Sequence, residues 1–377
     1  MTPRLLLGSF EVPGLGGSST ASYALFRRML ADGWDVHYLN LVEDDPAFLQ
    51  YVFGPDAGNP DRLPDVHDAS IATPLEAASP AVRELIRTIE PDVLVGFGYI
   101  AALQLKRAAP DRRTVLVTGT CRQAQDYVTT GRATDAVGLA RALAARGGTP
   151  RRLNGTERLA FEACDLVVTH SALVLDFVHR FFPEHAGKIH PGVTWFAEWI
   201  CDAADRWRDL ARPFEARDID ALFVASSWER REKNWPMVAA LARRLHPATV
   251  HVVGEVPNRL PSVTHHDFLA DRRAMFALLG RARCVVCPSR IDAAPGVLFE
   301  AAAMGCNVVA SRNCGNWELC PADLLAEPTG IAAFVQCIRR GMARPYESGL
   351  ERFLGQGSYA ELLRTLEIFA RPFPATA

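Results

Sequence analysis

The segment from Arg283 to Ser311, RCVVCPSRIDAAPGVLFEAAAMGCNVVAS, constrains the fold more than any other part of the chain. Cys284 to Cys287 is a short apolar run fit for a buried strand. Ser289 to Ala294 reads as a loop. Pro295 suits the first helical position, because its missing N–H and fixed φ cost little there. Gly305 ends the helix, and Asn307 to Ser311 is the next strand. Asp292 lies just before the helix and Glu300 lies within it. Gly296 and Glu300, four apart, share one helix face. A helix N-terminus offers free N–H groups suited to a phosphate. A carboxylate on either side can accept hydrogen bonds from sugar hydroxyls.

The same alternation runs through the whole chain and predicts an α/β fold with parallel sheets. Strands are expected near 4–10, 35–41, 92–97, 114–118, 166–170 and 188–189, then at 221–225, 250–253, 283–287 and 307–310. Helices are expected near 19–32, 80–89, 101–108, 156–163 and 173–182, then at 235–245, 272–280, 297–304 and 331–342. The pattern breaks between Gly192 and Asp218, which includes Pro213 and no clean strand. With 377 residues, two domains are the prior. The first is placed at 1–194, joined by a C-terminal helix at 357–377, and the second at 215–356.

Composition narrows the classes. Hydrophobic residues make up 49% and charged residues 22%, ordinary for a globular protein. A net charge of −2 gives no nucleic-acid footprint. The apolar stretch in MTPRLLLGSF is too short for a signal-peptide core, and Ala293 to Ser311 is broken by Pro295, Glu300 and glycines, so no membrane span is expected. Cys284 and Cys287, three apart in a strand, point to opposite faces. No second Cys or His pair completes a metal site, so the cysteines read as buried free thiols.

Two further segments carry charge or glycine at strand ends. Glu11 to Ser19 is a Gly-rich loop before a helix, an anion-binding layout. Gly14 and Gly16 match two glycines of a dinucleotide fingerprint, but Ser19 replaces the third. The segment Phe223 to Asn234 ends in Trp228-Glu229-Arg230-Arg231-Glu232-Lys233-Asn234. Lysine occurs only at 106, 188 and 233, whereas 41 − 3 = 38 basic residues are arginine, so Lys233 suggests a need for a compact ammonium.

Pro288-Ser289, Asp292-x7-Glu300, Ala301 and Gly305, followed by Cys314-Gly315-Asn316-Trp317-Glu318-Leu319, closely resemble the nucleotide-sugar signature of retaining glycosyltransferases of family 4. That family has the GT-B fold, two Rossmann-like domains facing across a cleft. Gly16 and Gly17 match the paired glycines of its opening loop, and Lys233-Asn234 matches its Lys-Gly before a helix. Three positions depart from the pattern. The first carboxylate is Asp292 rather than Glu, Ser226-Ser227 stands where Gly-Arg is usual, and Thr120 stands where a histidine is usual. Arg230 or Arg231 is expected to supply the missing guanidinium, with Arg230 favoured. His265 and His266 are expected to be structural, and the arginine-rich stretch from Gly131 to Arg158 to be a solvated surface or an anion-facing one.

The resemblance implies a hexosyltransferase that uses a nucleoside-diphosphate sugar, UDP- or GDP-linked, and a hydroxyl acceptor on a glycan, glycolipid or small molecule. Asp292, Arg230 and Lys233 are the expected catalytic residues. Gly16, Gly17, Arg231, Pro295, Gly296, Val297, Leu298 and Glu300 are the expected donor-binding residues. No cofactor and no metal are expected, no nucleic-acid partner, and a cytoplasmic location with peripheral contact at the inner face of a membrane. The rival readings are a nucleotide-sugar epimerase of the same fold and a non-catalytic partner subunit, the latter raised by Ser227 and Thr120.

Overall fold

The computed structural model describes residues 3–10, 17–41, 66–68, 78–119, 121–129, 155–190, 200, 204–269, 271–346, 350 and 358–370. Two parallel sheets organise it. The first contains β1 (Leu5–Ser9), β2 (Val36–Asn40), β3 (Val66–Asp68), β4 (Val93–Phe97), β5 (Arg113–Thr118), β6 (Leu166–Thr169) and β7 (Ile189–His190), in the order β3-β2-β1-β4-β5-β6-β7. The second contains β8 (Ile219–Ser227), β9 (Val250–Glu255), β10 (Val263–His266), β11 (Ala282–Cys287), β12 (Asn307–Ser311) and β13 (Leu325–Ala326), in the order β10-β9-β8-β11-β12-β13. Each sheet reverses its strand order once, between β1 and β4 and between β8 and β11. Open α/β sheets bind ligands beyond the carboxyl ends of the strands at such a point.

The helices in chain order are α1 (Gly17–Ala31), α2 (Pro80–Ile89), α3 (Tyr99–Ala108), α4 (Arg122–Thr129), α5 (Gly155–Ala163), α6 (Ala172–Phe181), α7 (Trp235–Leu245), α8 (Arg272–Leu279), α9 (Gly296–Ala303), α10 (Ile331–Met342) and α11 (Ser358–Ala370). None of the described helices is long and apolar enough to cross a membrane. The central strands are buried on both faces, hence their unbroken apolar runs. Cys284 packs with Trp235, Phe334 and Ile338 on one face of β11, while Cys287 packs with Leu298 and Phe299 on the other. This is the opposite-face placement that their spacing requires.

α11 lies against the first sheet's unit. The Tyr359 hydroxyl of α11 donates to Asp32 at 2.9 Å, and the Arg28 guanidinium lies over the Tyr359 ring. Thr365 meets His190 at 3.2 Å, and Arg113 donates to the Phe369 carbonyl.

Several elements differ from expectation. β3, β10 and β13 were not anticipated; each is an edge strand of two to four residues, too short for a pattern. α4 was also unforeseen, because RQAQDYVT is too polar to read as a buried helix face. Its start is fixed from a distance: the Arg122 amide donates to the buried carboxylate of Glu157, 2.7 Å away on α5. Pro295 precedes α9 rather than opening it, with ψ at 106°. Gly305 follows α9 in the left-handed region at φ 71°, where a side chain would be strained.

Candidate functional site

The loops after β8 and β11 meet at the reversal point of the second sheet. After β8 the chain is anchored by Trp228, whose indole N–H donates to the Val253 carbonyl at 2.9 Å. A single tight turn, Arg231–Lys233, follows. Asn234 then adopts φ 67° and launches α7. The buried Asn234 amide donates to the carbonyls of Pro288 at 2.9 Å and Pro328 at 3.0 Å. Its oxygen accepts from the Arg290 guanidinium at 3.3 Å. The Arg290 amide in turn donates to the Glu232 carbonyl at 2.8 Å. One asparagine therefore ties the loop after β8 to those after β11 and β13.

These ties bring Lys233 to Asp292. The ammonium and carboxylate are 2.5 Å apart, and their side chains are 18% and 14% exposed. Burial works against the Lys233 charge, but Asp292 outweighs it and, with Cys287, holds the ammonium above its ordinary range. Asp292 is itself fixed through its backbone. Its amide donates to the Asn313 carbonyl at 3.0 Å, and its carbonyl accepts from Gly315 at 2.7 Å. The Asn313 side chain donates to the Arg290 carbonyl at 2.8 Å.

The opposite wall comes from the first unit. Ser171, which caps α6, donates its hydroxyl to the Ala293 carbonyl at 2.7 Å. Ile291 packs among Leu116, Phe161 and Phe177. Gly315 fits this junction because it lacks a side chain. A Cβ there would lie 1.6 Å from the Ala293 oxygen and 2.6 Å from the Ser171 hydroxyl. α4 also lies beside the Arg231–Lys233 turn.

The remaining expected residues are distributed unevenly. Arg230 is half exposed and pairs with the buried Glu232 through Nε at 2.7 Å. Arg231 is exposed. Pro295, Gly296 and Val297 lie at the start of α9, and Ile200 approaches the Gly296 position. The Leu298 side chain is fully buried in the core, and its amide donates to the Pro295 carbonyl at 3.1 Å. Glu300 pairs with Arg272 of α8 at 3.0 Å, and that guanidinium lies over the Phe276 ring. Gly17 is the first residue of α1, while Gly16, Thr120 and most of 131–158 lie outside the described residues. His265 accepts from the Leu260 amide at 2.9 Å, and His266 meets His251 at 2.9 Å, both within the protein's own packing. The contacts of Arg272 with Glu300 and of Ser171 with Ala293 have no local signal, since each spans more than 25 positions.

Beneath the pair lies a second cluster. The Cys287 and Cys314 sulfurs are 3.5 Å apart, with the Ser289 and Ser311 hydroxyls each 3.5 Å from one of them. The Cys314 thiol directed at Cys287 holds the latter below the ordinary thiol range despite burial, with Lys233 and Ser289 assisting. Burial pushes Cys314 well above that range. Among the described residues, no group of three or more His, Cys, Asp or Glu side chains is arranged to hold a metal.

This arrangement offers a part-buried cation paired with a carboxylate, and a loop that leads from that carboxylate to the N-terminus of α9, a set suited to a phosphorylated polyhydroxyl ligand. Residues 219–344 match the model of the family described as Glycosyl transferases group 1. No curated protein matches the chain in sequence. Among solved structures, it is similar to sucrose-phosphate synthase from Thermosynechococcus elongatus, with TM-score 0.62 and 18% identity over 97% of this chain and 96% of that one. It is also similar to the lipopolysaccharide outer core galactosyltransferase WaaB, with TM-score 0.61 and 11% identity over 97% and 99%. HepE from Anabaena, solved with UDP and glucose, gives TM-score 0.58 and 15% identity over 96% and 100%. At such identities the likeness speaks for the fold, which is GT-B. Residues 219–344 of the second unit thus match the Glycosyl transferases group 1 model within a chain of GT-B fold, which supports a glycosyltransferase enzyme.

Proposed function

We propose that the protein transfers a hexose-type sugar, with retention, from a UDP- or GDP-linked donor to a hydroxyl of a glycan, glycolipid or small molecule, in the manner of family 4. The observation that carries this reading is the Lys233–Asp292 pair at 2.5 Å, held at the reversal point of the second sheet beside the start of α9. HepE is solved with UDP and glucose, and a trehalose-phosphate synthase of similar fold is named as UDP-forming, which favours a UDP donor.

The hard step is departure of the diphosphate as an anion. Lys233 and the amides of Gly296 and Val297 stabilise that charge as it develops, because preorganised donors act most strongly on the transition state. Arg230 adds a second cation, pre-aimed by Glu232. When the diphosphate takes up the Lys233 ammonium, Asp292 gains freedom to accept from the sugar hydroxyls and orient the anomeric carbon. Glu300, steadied by Arg272, accepts from the ribose hydroxyls. The acceptor enters from the first unit, taken as 1–194 with the helix at 357–377, against a donor unit at 215–356. A reducing cytoplasm suits the eight described cysteines, all free thiols.

Calorimetry with a panel of nucleoside-diphosphate sugars tests the reading. One UDP- or GDP-sugar should bind in the presence of EDTA, and affinity should fall in Lys233→Ala. Binding of none of them, or binding indifferent to Lys233, would overturn it.

A further inference from the structure

The thiol cluster beneath the Lys233–Asp292 pair has no part in the transfer chemistry, yet it sits at the joint that fixes Asp292. Cys287 ends β11, and Cys314 lies on the loop after β12. Their sulfurs are 3.5 Å apart, so closing to the roughly 2.05 Å of a disulfide needs a movement of about 1.5 Å. Cys314 belongs to the segment that holds Asp292. It bridges Asp292 in a strand-like pair, while its neighbours Asn313 and Gly315 exchange backbone hydrogen bonds with that residue. Gly315 has no slack, since it packs against Ala293 and Ser171.

We propose that Cys287 and Cys314 are a reversible oxidation site, closing to a disulfide under a hydroperoxide and thereby weakening the donor site. The effect on the donor site rests on the reading above; formation of the bond does not. Reactive cysteines lie beside cations and hydrogen-bond donors with some solvent access; Cys287, 7% exposed, has Lys233, Ser289 and the Cys314 thiol around it, while Cys314 is fully buried and so is placed to attack second, once peroxide has reached Cys287. In the first step the Cys287 thiolate attacks a peroxide oxygen and the O–O bond breaks. Cys287 becomes a sulfenic acid, and the departing hydroxide takes up a proton as water. In the second step the Cys314 sulfur attacks the Cys287 sulfur and the S–O bond breaks. Water leaves with the Cys314 proton. Two thiols and one hydrogen peroxide thus give one disulfide and two waters. Drawing Cys314 toward β11 pulls the backbone that holds Asp292, which moves its carboxylate relative to Lys233.

The full chain, treated with hydrogen peroxide, is digested without reduction and its joined peptides are identified by mass. UDP and GDP affinities are measured before oxidation, after it, and after dithiothreitol. The expected result is a Cys287–Cys314 cross-link and a roughly tenfold loss of nucleotide affinity, a usual size for coupling between two events on one protein. Dithiothreitol should reverse both. Cys314→Ser, with Cys314→Ala as a second choice should serine disturb the core, should keep nucleotide affinity and lose the response to peroxide. The proposal is overturned if both thiols stay free, if the cross-link forms without a change in affinity, or if the Cys314 variants remain sensitive. A reduced protein that binds neither nucleotide while still forming the cross-link would instead sink the donor reading and leave the oxidation site standing.

Discussion

Ser171 of α6 donates its hydroxyl hydrogen to the carbonyl oxygen of Ala293, 2.7 Å away and one residue beyond Asp292. The contact joins the capping residue of a helix in the first unit to the loop that presents the carboxylate. The same hydroxyl also accepts from the Val174 amide at 3.4 Å, so it serves the helix and the crevice at once.

Ser171→Ala should therefore lower both stability and turnover. Losing the cap and the crossing bond is expected to cost about 1–2 kcal/mol in thermal unfolding. Ser171→Thr, which keeps the hydroxyl, should recover most of the activity. An alanine variant with full kcat/KM would show that the contact does not position the loop.

Gly315→Ala should be far more damaging than its single methyl suggests. The new Cβ would stand 1.6 Å from a backbone oxygen, so the strand-like pairing of Asp292 with Cys314 must yield. Overpacking of this kind costs about 1–3 kcal/mol, read as a lowered Tm, and turnover should fall more steeply than stability. A variant with native Tm and native kcat would mean that the junction opens freely.

Lys233→Ala should lower kcat/KM by roughly 10²–10³, the scale for removing one preorganised donor to a developing anion. Arg230→Ala should also reduce kcat/KM, and because it strands the buried Glu232 it should lower Tm as well. Arg230→Ala with Glu232→Gln should restore Tm and leave the kinetic defect. Arg231→Ala, at an exposed position, should be within about 0.5 kcal/mol of wild type in stability and near it in rate. Damage confined to Arg231 would shift the phosphate contact by one residue.

Glu300→Gln should weaken nucleotide binding in calorimetry with the fold intact. Arg272→Ala should weaken it in the same direction but less, since it removes only the partner that steadies Glu300 at 3.0 Å. Unchanged affinity in Glu300→Gln would take this carboxylate out of the site.

Stability should decline on mild acidification. Burial lowers His170 and His251 to about 4. The unfolded chain takes up these protons near pH 6.5, whereas the folded chain resists until about pH 4, so stability present above 6.5 is lost as pH falls through that window. His170→Asn should flatten the dependence in urea titrations. An equally steep profile in that variant would place the acid sensitivity on other groups.

The sequence was most informative where physics is local. The strand–loop–helix–strand run from Arg283 to Ser311 announces itself through unbroken apolar strands and a glycine in the left-handed region. Lys233 and Asp292 were each legible as charges at strand ends, but not as partners, because 59 residues separate them and only sheet order brings them together. α4 adds a distant partner to its polar sequence: its N-terminal amide is satisfied by Glu157, 35 residues on. β10 lacks an apolar run because an edge strand need not be buried, so Val263 to His266 reads as loop. Arg272 carries no signal at all until α8 and α9 are packed side by side.

The Asn234 amide, reaching Pro288 and Pro328 at once, has a consequence for how such a protein can change. The three loops it joins are not interchangeable parts. Grafting 229–235 from a relative that lacks an asparagine at this position, without reshaping 288–292 and 328, would leave the buried carbonyls of Pro288 and Pro328 without their donor. New donor preferences in this scaffold should therefore arise through concerted replacement of all three segments, and a library that varies one of them alone should return mostly misfolded clones.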